Sequence, residues 1–114
     1  MLARQLAGCA DVKAVVSYHG LLTTAMPAEL GAVKGQLAIY TGAQDRYVPA
    51  DHVEALRQEL TAAGAHFQIM VFNEALHAFT DSHAGDMDRA GIAYDPIAER
   101  VSWAGTLALL EATL

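Results

Sequence analysis

The 114 residues predict an α/β domain: about three parallel strands with flanking helices. Three observations carry this. Short runs rich in β-branched and aromatic residues occupy positions 12–18, 37–41 and 67–72, and each stops at turn formers. One amphipathic stripe of helical length separates the second run from the third. The second run, Leu37-Ala38-Ile39-Tyr40-Thr41, is apolar throughout rather than alternating, as expected of a parallel strand buried on both faces.

Composition narrows the class. A hydrophobic fraction of 54% against 18% charged residues describes a globular chain, with room for one small domain. Thirteen acids against seven bases give a net charge of −6, which argues against a phosphate-backbone partner, so no nucleic acid is expected. No apolar run approaches the roughly 18–20 residues of a membrane span, and no membrane partner is expected. Met1-Leu2-Ala3-Arg4-Gln5-Leu6 lacks the charged-then-apolar order of a signal peptide. Cys9, the single cysteine, excludes an internal disulfide and fits a reducing compartment. The expectation is a soluble, cytoplasmic domain.

In order along the chain, residues 2–6 have helical spacing, with Gly8 placed as a C-cap, and read as the end of a longer helix. The first strand runs over 12–18 and ends at His19-Gly20. Residues 21–34 form a connection in which Pro27 opens one helical turn to Leu30. After the second strand, Pro49 stands at or just before the start of a helix whose apolar stripe is Val53, Leu56, Leu60 and Ala63, ended by Gly64. In the third strand Phe67, Ile69 and Val71 alternate. Residues 73–95 make a long polar loop, of a length that in a compact domain marks function or mobility. Asp95-Pro96 opens a last helix reaching Leu109 or beyond, with Ile97, Val101, Ala104 and Leu107 among its apolar positions. Right-handed crossovers put all three strand ends on one side, where ligands of such sheets sit.

Two residues at that edge can carry chemistry. Asp45 follows the second strand and His77 follows the third, 32 residues later. A carboxylate that accepts the Nδ1 proton of a histidine fixes its tautomer and stabilises the imidazolium formed in proton transfer. The pair has the acid-then-histidine order of an α/β-hydrolase triad, with helix and strand between them. The plainer alternative is a helix-capping Asp45 and a solvated His77.

Residues 41–49 (Thr-Gly-Ala-Gln-Asp-Arg-Tyr-Val-Pro), then Leu76-His77-Ala78-Phe79, then Ala93-Tyr94-Asp95 through Ala98 and Ser102-Trp103, resemble the C-terminal half of the dienelactone hydrolase family. Val15-Val16-Ser17-Tyr18-His19-Gly20 is similar to the strand that precedes them there. The resemblance implies a partial α/β-hydrolase fold, with Asp45 as triad acid and His77 as triad base. It implies hydrolysis of a small-molecule ester or lactone through an acyl-enzyme, with no metal and no cofactor.

The sequence departs from that family in two places. The family's cysteine or serine nucleophile sits in a glycine-x-nucleophile-x-glycine turn between strand and helix. No such pattern occurs here: Cys9, Ser17, Ser82 and Ser102 all lack the flanking glycines. Residues 1–114 therefore read as a single, incomplete domain without its nucleophile-elbow half, and as a separate chain are expected to show little esterase activity. The namesake enzymes also place an arginine shortly after the histidine to hold a substrate carboxylate, whereas Ala78-Phe79-Thr80-Asp81 offers an acid. A broad carboxylester or lactone class is expected in place of dienelactone. The alternative is an inactive remnant, or a module that pairs through an exposed sheet edge with a second copy or an N-terminal partner.

The other candidates have plainer readings. His77, Asp81, His83, Asp86 and Asp88 match no metal-ligand spacing and read as an acidic, solvated loop. His52 and His66 read as surface residues, and a turn beside Gly20 accounts for His19. Trp103 and Tyr94 read as packing of the last helix, and Cys9 as a small buried apolar residue.

Overall fold

The computed structural model describes Gly8, Cys9 and residues 11–114; the expected helix end at 2–6 lies outside the described residues. Three strands, β1 (Ala14–Tyr18), β2 (Gln36–Gly42) and β3 (Phe67–Phe72), form one parallel sheet in the order β1-β2-β3. Helix α1 (Ala50–Ala62) links β2 to β3, and α2 (Pro96–Thr113) closes the described chain. Among the described residues no helix is long and apolar enough to cross a membrane.

The central strand divides the core in two, because its successive side chains point to opposite faces. Leu37 and Ile39 pack with Leu22, Val33, Val48, Leu56 and Leu60 on the α1 side. Ala38 and Tyr40 pack with Ala75, Phe79 and Ala98 on the α2 side. Burial on both faces is why β2 reads as one continuous apolar run. In β3, Phe67 and Ile69 turn toward the α1-side core, while Val71 is exposed at this edge strand and Phe72 packs on the other face.

Pro49 is the N-cap of α1, immediately before the helix. At the other end Gly64 has φ +71°, its N–H donates to Thr61 O, and the Ala65 N–H donates to Leu60 O. This is a Schellman closure, whose left-handed residue glycine accommodates without a Cβ penalty. Leu56, Leu60 and Ala63 are buried as the stripe requires. The helical turn expected after Pro27 is absent. That segment is instead tied to α1: the Ala28 N–H donates to Glu59 Oε2 (2.9 Å) and the Gly31 N–H to Ala63 O (2.9 Å).

Asp95 caps α2, its Oδ1 accepting from the N–H groups of Ile97 and Ala98, with Pro96 opening the first turn. The inward face of α2 differs from expectation. Ala98, Ser102 and Thr106 are buried, while Ile97 is 74% and Trp103 55% exposed and Val101 and Leu107 also face outward. The reason lies in the sheet. Tyr18, Tyr40 and Phe72 form a row of stacked rings (centroids 5.7 and 6.3 Å apart) that fills the space a large helical side chain would need. A Cβ at Gly105 would run into the Tyr40 hydroxyl, and the Tyr18 hydroxyl bonds Thr106 Oγ1. Trp103 and Tyr94 are also exposed, the Tyr94 hydroxyl donating to Glu99. Cys9 is exposed rather than buried, in the turn closed by Val12 N–H and Cys9 O just before β1.

Candidate active site

Each strand delivers one ring or carboxylate to the same edge: His19 just after β1, Asp45 just after β2 and His77 in the loop after β3. The short path from β2 to Asp45 depends on Gly42. A Cβ there would strike the Ala75 carbonyl, so only glycine lets the loop carrying His77 lie across the strand end. The Gln44 N–H donates to that same Ala75 carbonyl (3.0 Å), fixing the two segments together.

His77 is held from its backbone. Its N–H donates to Gly91 O (3.1 Å) and its carbonyl accepts from Ala93 N–H (3.2 Å), forming an isolated parallel bridge with Ile92. This bridge ties the two ends of the 73–95 loop together, and within the loop Ala84–Met87 winds into a single 3-10 turn. Ala78, directly after His77, has φ +60°.

Asp45 and His77 come together. Nδ1 of His77 lies 2.9 Å from Asp45 Oδ2, with the carboxylate side chain fully buried and the imidazole 26% exposed. An Nδ1–H donating to the carboxylate leaves Nε2 as the basic nitrogen. The second oxygen, Oδ1, accepts from the Tyr47 N–H (2.9 Å), so both oxygens of the buried acid are engaged. A hydrogen-bonded, buried acid behind a part-exposed imidazole can orient a base and stabilise its charged form.

Three further residues stand at the site; Tyr47 and His19 lie in the segments that carry the family resemblance, but nothing in them marks either residue for a role, and Arg89 lies outside those segments. Tyr47 lies edge-on to His77 (5.1 Å, 61°). His19, read as a turn residue, lies 5.5 Å from His77 at 70°, and its Nε2 is 2.8 Å from Thr80 Oγ1. Burial and, next, the neighbouring His77 push the His19 pKa below its ordinary value, outweighing the nearby Asp45. Arg89 lines a cleft of about 360 Å³ together with Leu21, Tyr47, His77, Asp81 and Met87. An acid does follow His77, as expected, but a cation reaches the cleft from the far side of the loop.

The remaining candidates stay apart. His83 Nδ1 pairs with Asp86 Oδ2 (3.1 Å) at the exposed surface, and among the described residues no three His, Cys, Asp or Glu side chains converge as metal ligands. His66 is exposed and His52 half-buried on the α1 side.

The three parallel strands and their helices match solved structures of dienelactone-hydrolase-like proteins. A dienelactone hydrolase-like promiscuous phosphotriesterase from metagenomic libraries superposes with a TM-score of 0.80 at 29% identity, over 91% of this chain and 44% of that one. A protein called m3DLH gives 0.84 at 28% identity, over 92% and 44%. The fold is thus that of an α/β protein of this group. The model of the dienelactone hydrolase family matches residues 1–114, and the chain belongs to that family. An uncharacterized protein of Caenorhabditis elegans is 32% identical over 102 residues, which are 88% of this chain and 64% of that protein. The chain therefore spans less than two thirds of these relatives' own lengths.

Proposed function

We propose that Asp45 and His77 are the acid and base of a nucleophilic triad that hydrolyses carboxylic esters or lactones. The 2.9 Å bond between a fully buried carboxylate and a part-exposed imidazole, at the carboxyl ends of parallel strands, carries this reading. The 114 residues contain no glycine-flanked serine or cysteine, so the nucleophile comes from another segment. Nε2 of His77 takes the nucleophile's proton as its oxygen or sulfur bonds the acyl carbon. The same proton passes to the departing alkoxide when the ester C–O bond breaks. Water repeats the step on the acyl-enzyme and frees the acid. No step calls for a metal or cofactor. Within the cleft, Leu21 and Met87 suit an apolar portion of the substrate, with Arg89 and Asp81 at its polar rim.

A hybrid tests this: the present chain joined to the elbow-bearing segment of a solved relative. It is expected to hydrolyse p-nitrophenyl acetate, and His77→Ala is expected to lower kcat/KM by about 10³-fold or more. An unchanged rate in His77→Ala would remove the base assignment. The separate chain is expected to give no His77-dependent burst with the same ester.

A second reading has its own support. Among the described residues β1 pairs on one side only, and Ile97, Trp103 and Leu107 project from α2. An open strand edge beside exposed apolar side chains suits a complementing module that pairs with a nucleophile-bearing half or a second copy.

A further inference from the structure

The Asp45 carboxylate holds the His77 imidazole at one nitrogen, and a single hydrogen bond leaves the ring free to swing about it, since the outer torsion of histidine is broad. Small misplacements of a catalytic group are costly to rate. Two further rings limit that freedom. Tyr47 and His19 approach His77 with centroids at 5.1 and 5.5 Å and planes at 61° and 70°, within the range of favourable edge-to-face pairs.

His19 is itself firmly placed. Its Nε2 is 2.8 Å from Thr80 Oγ1, its ring stands edge-on to Phe79 (5.0 Å, 82°), and its N–H donates to Tyr40 O (2.8 Å). Its φ of +42° is a left-handed conformation that a non-glycine residue keeps only when its surroundings impose it. Resting on the assignment of Asp45 and His77 above, we propose that His19 is a positioning residue: anchored on Thr80 and Phe79, its ring joins Tyr47 in bracing His77, so that Nε2 stays presented while Nδ1 stays on Asp45.

The brace works as a neutral ring. Burial and the adjacent His77 disfavour a charge on His19, and together they outweigh the pull of Asp45, its own backbone and Asp81. The imidazolium that forms at His77 therefore meets no positive charge on the His19 ring. The contact is one of ring shape, which a phenyl ring reproduces and a polar chain does not.

The test is proton NMR of the ¹⁵N-labelled 114-residue chain, following the His77 Nδ1–H resonance and its exchange with water. His19→Ala and His19→Gln are expected to speed this exchange about tenfold or more, and His19→Phe to hold it within about threefold of the native rate. The Gln variant keeps a donor for Thr80 without a ring, which separates bracing from hydrogen bonding. Native exchange in both Ala and Gln variants, or equal loss in the Phe variant with the β2 amide pattern intact, overturns the brace. If His19→Ala disturbs that amide pattern, the Gln and Phe pair decides by the same criteria. Asp45→Asn distinguishes the two readings. Loss of the resonance there with native exchange in the His19 variants overturns the brace alone. Its survival in Asp45→Asn overturns the Asp–His pairing and the brace with it.

Discussion

At Asp45 both carboxylate oxygens accept, one from the Tyr47 N–H and one from His77. An amide in its place supplies one acceptor and one donor, so Asp45→Asn either breaks the turn bond or forces the other tautomer on His77. In the hybrid enzyme this substitution is expected to cost about 10³–10⁴-fold in kcat/KM, read with the same p-nitrophenyl ester. His19 makes stability depend on pH. Its folded pKa lies below the ordinary 6.5, so on acidification the unfolded chain takes up this proton first. The stability it contributes is full above about 6.5 and is lost as pH falls through the folded value. Urea titrations between about pH 8 and pH 5 should therefore show the native chain losing more stability than His19→Phe, which has no such proton to bind. The buried Thr41 hydroxyl has no hydrogen-bond partner among the described residues. Thr41→Val keeps the shape and removes that group, and is expected to raise the urea midpoint by the equivalent of about 1 kcal/mol.

Among the elements, α2 shows most clearly how packing overrides pattern. A glycine inside an exposed helix costs about 1 kcal/mol relative to alanine, so Gly105→Ala on an open helix would stabilise. Here the new methyl meets the Tyr40 hydroxyl, and the substitution is expected to destabilise by about 1–3 kcal/mol. Adding Tyr40→Phe removes the obstructing oxygen and should recover part of the loss, a coupling that a double-mutant cycle of urea unfolding measures. The middle helix behaved as read because its stripe is large and apolar and its ends carry Pro49 and Gly64, so local chemistry and packing agree. The last helix has equally legible ends in Asp95-Pro96, but its inward face is small and partly polar. Hydrophobic periodicity points to Ile97 and Val101, whereas the aromatic row on the sheet selects Ala98, Ser102 and Thr106.

Across the described residues, β1 and β3 are both sheet edges, and apolar side chains of α2 and β3 lie at the surface. Exposed edges and patches of this kind favour association. Light scattering with size-exclusion chromatography is expected to find the separate chain self-associated and the hybrid monomeric. A monodisperse monomer of the separate chain would remove pairing with a second copy.

Local sequence sets the strands, the middle helix and both helix starts, and it brings Asp45 and His77 to one edge while leaving open whether they pair. These rest on local rules: apolar runs bounded by turn formers, proline and glycine at helix ends, and a chain order that brings strand ends to one edge. Which face of α2 turns inward, and that His19, Tyr47 and Arg89 stand around the histidine, depends on long-range packing. Those positions depend on residues far apart in the chain meeting across the sheet: Tyr40 against Gly105, Ala75 against Gly42, Thr80 against His19. No local pattern encodes such encounters, because their physical cause is the shape of the space between packed elements.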